Sequence, residues 1–116
     1  MWLDLTDRQQ LDELTIASHG STQVIFKHST RCSISRVALS RFDRQPTSAG
    51  VTSFYLLDLL QHRPLSQAIT EQFGIPHESP QVLVIRDGAC QYHANHLDIE
   101  PEEVYAHAGI TGSESL

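Results

Sequence analysis

Basic residues are scarce in this chain. Lys and Arg number 8 against 14 Asp and Glu, giving a formal net charge of −6 at pH 7. A phosphate backbone is held mainly by clustered cations, so the composition argues against a nucleic-acid partner. Long apolar runs are missing as well. None approaches the roughly 18 residues that a membrane-spanning helix needs, and Met1-Trp2-Leu3-Asp4 lacks the basic and apolar regions of a secretory signal. A cytoplasmic protein is expected. Cysteine is limited to Cys32 and Cys90, which in a reducing compartment are expected to be free thiols rather than a disulfide. No internal repeat or low-complexity segment suggests an array. What is present is ordinary globular composition: 116 residues, 40% hydrophobic and 19% charged. That suffices for one domain with a core of its own. The domain is expected over residues 1–109, with residues 110–116 as a loose tail.

Hydrophobic patterning sets the order of elements. Thr6-Asp7-Arg8-Gln9 has the form of a capping box, and Leu11 and Leu14 share a helical face, predicting a helix over about residues 7–17. Val24-Ile25-Phe26 is an unbroken apolar run, as in a central strand covered on both faces, so Gln23–Lys27 reads as a first strand. Ile34, Val37, Ala38 and Phe42 recur at helical spacing between Ser33 and about Arg44. Gln45–Gly50 reads as a loop and Val51–Asp58 as a second strand. Pro64 is placed to open a helix that Gly74 ends, and Ile75–Pro80 is an extended connection. Gln81–Arg86 is a third strand, returned by Asp87-Gly88 into Ala89–Ala94. Pro101 opens a last helix that Gly109 closes. The order α, βαβ, α, ββ, α predicts an α/β fold: a mixed four-stranded sheet flanked by helices, with a right-handed crossover. It resembles the thioredoxin fold with an extra N-terminal helix.

The chemistry concentrates where the first strand runs into the second helix. Cys32 stands where that helix should begin, after Lys27, His28 and Arg31 and one turn before Arg36. Helix N-termini and nearby cations stabilise a thiolate, and such cysteines titrate at roughly pH 3.5–7.5 instead of about 8.5. Cys32 is therefore the candidate nucleophile, with Lys27, Arg31, Arg36 and a protonated His28 as its cations. Ser35 fills the last place of a C-x-x-C pattern. Three residues on, its hydroxyl is expected to lie beside the sulfur and hydrogen-bond to it, but it cannot resolve a disulfide. Release of a mixed disulfide on Cys32 then requires a thiol from solution, which points to a low-molecular-weight co-substrate. The plainer account of a lone cysteine is a small core residue.

The stretch Phe26-Lys27-His28-Ser29-Thr30-Arg31-Cys32-Ser33-Ile34-Ser35 resembles the signature of the YtxJ-type monothiol bacilliredoxins of the thioredoxin superfamily. His96-Leu97-Asp98-Ile99 matches a second segment of that family, and Ser79-Pro80 is placed like the cis-proline of thioredoxin-fold proteins. The resemblance implies a redox role in the bacillithiol system, acting on proteins that carry bacillithiol in mixed disulfide, with bacillithiol as co-substrate and no bound cofactor. It implies that Cys32 is the nucleophile and that Pro80, with Ser79 before it, shapes the groove for substrate. Lys27 and Arg36, with Arg31, are the cations expected to hold the carboxylates of the malate part of bacillithiol.

Other chemistries compete. Cys90-x-x-His93-x-x-His96 is the densest group of metal-ligand types, but residues three apart on a strand face opposite sides, so no metal site is expected. Cys90 is expected at the far edge of the sheet without a catalytic part. Cys32 with Ser35 also resembles the monothiol glutaredoxins that hold a [2Fe–2S] cluster between subunits, although Ser33-Ile34 replaces their Gly-Phe pair. A third possibility is a non-catalytic binding module that uses the thioredoxin groove.

Overall fold

The computed structural model describes residues 2–42 and 53–109. The expected loop Gln45–Gly50, the first residues of the Val51 strand and the tail 110–116 lie outside the described residues. The elements in order are β1 (Trp2–Asp4), α1 (Arg8–Ala17), β2 (Gln23–His28), α2 (Ser33–Ser40), β3 (Ser53–Asp58), α3 (Arg63–Phe73), β4 (Gln81–Arg86), β5 (Ala89–Asn95) and α4 (Pro101–Ala108). A single 3-10 turn, His96–Asp98, joins the last strand to the last helix. No helix among the described residues is long and apolar enough to cross a membrane.

The sheet has five strands, in the order β1-β3-β2-β4-β5. β1 and β2 both run parallel to β3, whereas β4 pairs antiparallel with β2 and β5 with β4. The expectation of four strands is corrected by β1. Three residues are too few to show strand alternation, and this one is fixed by tertiary contact: Trp2 meets Phe26, Phe42 and Phe54 edge to face at 5.5–5.8 Å between ring centroids. The first helix is capped by Asp7 with Gln10 at its third position, one residue later than the sequence pattern suggested. The second helix ends at Ser40, not near Arg44, because the Phe42 N–H turns back to Leu39 O at 3.0 Å. That tighter turn drives the Phe42 ring into the core.

Strand β2 is buried at every position, as its apolar run demanded. Alternation along it divides the molecule into two layers. Val24 and Phe26 pack with Ala38 of α2, Phe42 just beyond it, and Val104 and Ala108 of α4, and Ile25 packs with Leu11, Leu14, Leu65 and Ile69 of α1 and α3. The two side chains that follow on β2, Lys27 and His28, inherit this alternation.

Candidate active site

Cys32 is the N-cap of α2, with φ −107° and ψ 121°. Its N–H donates to Ser29 O and its carbonyl accepts from Arg36 N, both at 3.1 Å, so the backbone is held while the side chain makes no capping bond. The thiol is free and half-buried. The first N–H groups of a helix have no intrahelical acceptor, so the sulfur sits at the positive end of α2.

Ser35 does not serve the sulfur. It is fully buried, its Oγ accepts the Ser29 N–H at 3.0 Å, and it lies 2.6 Å from His28 Nδ1. Hydroxyl and imidazole share one hydrogen bond, and among the described residues none of Ser35's hydrogen bonds reaches Cys32. The i, i+3 expectation failed because Cys32 has extended rather than helical backbone, so the two side chains do not share a helical face. His28 corrects a second expectation. The residue is only 8% exposed. Burial pushes its pKa below the usual 6.5, with Asp58 opposing and Arg36 reinforcing the shift. A buried imidazole hydrogen-bonded to Ser35, with its pKa lowered, is not the protonated cation the sequence suggested.

Lys27 points the other way. Its side chain is entirely buried in the α1/α3 layer, where Nζ donates to Thr70 Oγ1 at 3.0 Å. Burial lowers its pKa to about 8. An enclosed amine on the opposite face from His28 is not the exposed anion holder that was expected. Arg31 and Arg36 are exposed, and Arg36 Nη1 donates to Thr30 O at 3.0 Å, bracing the loop before Cys32. These are the cations left near the thiol.

The Ser79–Pro80 peptide bond is cis. Lys27 pairs with Gln81 across β2 and β4, so the next residues along the two strands, His28 and Pro80, share the sheet end that carries Cys32. Residues 3–104 match the family model for monothiol bacilliredoxin BrxC. The chain belongs to the monothiol bacilliredoxin family. Solved structures show the fold. The chain is similar to a protein described as a candidate oxidoreductase with a thioredoxin fold, at 26% identity and a TM-score of 0.75 with 92% of each chain covered. It shares the fold of the Malassezia sympodialis thioredoxin, at 16% identity and TM-score 0.71 over 94% of this chain and 89% of the other. The same holds for the Fasciola hepatica thioredoxin, at 15% identity and 0.71 over 92% and 99%. Family and fold together support a thiol redox role.

In this bacilliredoxin the cis-proline segment is tied to the family's second motif. His96 has φ +56°, its N–H donates to Pro80 O at 2.8 Å, and its Nε2 lies 3.1 Å from Glu78 Oε1. Gln81 Nε2 bridges Pro76 O and Asn95 Oδ1 at 3.0 and 2.9 Å. Arg41, at the end of α2, donates to Leu97 O and Ile99 O at 3.2 and 3.1 Å. The 3-10 turn thus links the helix that carries Cys32 to the loop that carries Pro80. Sequence reasoning missed Asp58 and Glu78, the charged residues that act on His28 and His96. Asp58 was legible in principle, since a lone acid ending an apolar strand in register with His28 is a candidate partner.

Cys90 lies on the edge strand β5 and packs against the α1/α3 layer, with Sγ donating to Tyr92 O at 3.3 Å. Burial pushes its thiol pKa up. Among the described residues, no three His, Cys, Asp or Glu side chains converge as a metal site.

Proposed function

We propose that this protein is a monothiol thiol-disulfide exchange enzyme whose Cys32 removes bacillithiol from protein mixed disulfides. The observation that carries the reading is the free Cys32 sulfur, half-buried and unbonded at the amino end of α2. The Cys32 thiolate attacks the bacillithiol sulfur of a protein–S–S–bacillithiol bond. A new disulfide forms between Cys32 and bacillithiol, and the protein sulfur departs as a thiolate that takes its proton from water. A second bacillithiol thiolate then attacks the bound bacillithiol sulfur, releasing oxidised bacillithiol and restoring Cys32. The second thiol must come from solution, because Ser35 has no redox chemistry and Cys90 lies on the edge strand β5 with its sulfur turned to Tyr92 O. Arg31 and Arg36 add positive charge beside the attacking sulfur, while Ser79 and Pro80 would offer main-chain contact to an extended substrate. The protein is placed in the cytoplasm, where reduced thiols are maintained.

The test is intact mass after mixing with a bacillithiolated peptide, repeated with a glutathionylated one. The expected result is a bacillithiol adduct on Cys32 with release of the free peptide, faster than from the glutathione donor. Exchange should vanish in Cys32→Ser and persist in Cys90→Ser. No transfer from either donor would overturn the enzymatic reading.

A further inference from the structure

A cleft of about 170 Å³ opens beside α3, lined by Leu59, Arg63, Ser66, Gln67 and His77. The polar groups around it are connected. Ser66 Oγ and His77 Nδ1 lie 3.5 Å apart, Thr70 Oγ1 donates to Ser66 O at 3.3 Å, and Lys27 Nζ donates to Thr70 Oγ1 at 3.0 Å. An ammonium has three protons to donate, and among the described residues this buried one has a single hydrogen-bond partner. Arg63 makes no ion pair among the described residues. Burial and the positive charges of Lys27 and Arg63 push the His77 pKa down, while Glu78 pulls against them. The groups facing His77 are thus Lys27 from β2, Arg63 and Ser66 from α3, and Glu78 beside it in the chain.

The cleft is also well placed. Leu59 N–H donates to His28 O at 3.0 Å, which fixes one wall to the end of β2, the strand that leads to Cys32. The other wall, His77, precedes Pro80 in the same loop. A guanidinium, an imidazole, a hydroxyl and a side-chain amide around a small concavity provide donors in excess of acceptors, and a planar carboxylate matches a guanidinium with two parallel bonds.

We propose that this cleft is a carboxylate-binding site in which Arg63 makes the paired contact and His77, Ser66 and Gln67 orient the anion. The carboxylate belongs either to the malate part of bacillithiol, an assignment that rests on the proposed function, or to a free dicarboxylate. It takes over the anion-holding role expected of Lys27, which instead lends charge from beneath.

Binding is read in Cys32→Ser protein, where exchange cannot occur, by following the His77 ring signals in NMR titrations with sodium malate and with sodium chloride at matched ionic strength. Malate is expected to shift these signals saturably and to raise the pH midpoint of His77, because a bound anion favours the imidazolium. Arg63→Gln should weaken malate binding about tenfold or more, whereas Arg8→Gln, on α1, should not. The absence of a saturable shift, or an equal shift in Arg63→Gln, overturns the site. A second arm assigns the anion's source using otherwise native protein. A KM rise in Arg63→Gln confined to bacillithiolated peptide supports a co-substrate site, and malate binding with unchanged KM supports a site for a free dicarboxylate. Malate binding without any exchange activity would refute the proposed function and leave the site standing.

Discussion

Lys27 is a cation that the fold prefers uncharged. Its pKa falls from 10.5 to about 8 on folding. Below pH 8 both states carry the proton and the folded chain bears the full cost of a buried charge. Between about pH 8 and 10.5 the unfolded chain holds more protons, so this residue makes stability rise with pH through that window. At neutral pH the penalty is roughly 3 kcal/mol. Lys27→Met keeps the length of the side chain and leaves Thr70 bonded to Ser66 O. It should stabilise the protein at pH 7 by about 1–3 kcal/mol in urea unfolding and should lack the rise above pH 8. Equal pH slopes in the two proteins would show that the amine is not their source. His28 acts in the same sense at lower pH. Its folded pKa lies below 6.5, so stability falls as pH drops through that value and the unfolded chain takes up the proton. Ser35→Ala would strip both His28 Nδ1 and the Ser29 N–H of their partner, at a cost of about 1–3 kcal/mol by the same measurement. Sequence spacing showed that these residues surround Cys32 but not which way each points. The alternation of β2 sends Lys27 and His28 into different layers, and that became decisive only once both layers were packed.

At the level of elements, the strong periodic signals were reliable and the short ones were not. β2, β4 and α3 stand where their apolar patterns put them, with Gly74 closing α3 at φ +69° as a left-handed cap. β1 was illegible because it has no pattern of its own, only a tryptophan whose partners lie on three other segments. The link from α2 to the His96 turn was equally hidden, since Arg41 and Leu97 are far apart in the chain and joined by main-chain oxygens that any residue would present. Arg41→Ala removes both bonds to this turn. Amide hydrogen exchange at Leu97, Ile99 and Glu100 should then accelerate while β2 and β4 stay protected, and uniform acceleration would mean that the bonds support the whole fold instead.

For the molecule as a whole, the α/β class and the helix layers were legible because a parallel strand-helix-strand unit followed by a hairpin admits few arrangements. The position of Cys32 at the start of α2 and the cis bond before Pro80 were legible, while the cleft beside α3 arises only when Arg63 and His77 are brought together by folding. The chain has one tryptophan, and it ties the edge strand to the central aromatic cluster. If β1 belongs to one cooperative unit, Trp2 fluorescence and far-ultraviolet circular dichroism should give coincident urea transitions. An earlier fluorescence transition would show the edge strand detaching first.

The contrast between the two cysteines has a practical side. Cys90 is half-buried like Cys32, but its sulfur donates to Tyr92 O and its environment favours the unreactive protonated form. Toward a soft electrophile at neutral pH the native chain should therefore behave as a reagent with one handle. A fluorophore, an affinity tag or a resin can be attached at Cys32 without first deleting the other thiol, and on the proposed function a chain immobilised through that handle should show, by loss of exchange, that the intended sulfur was taken.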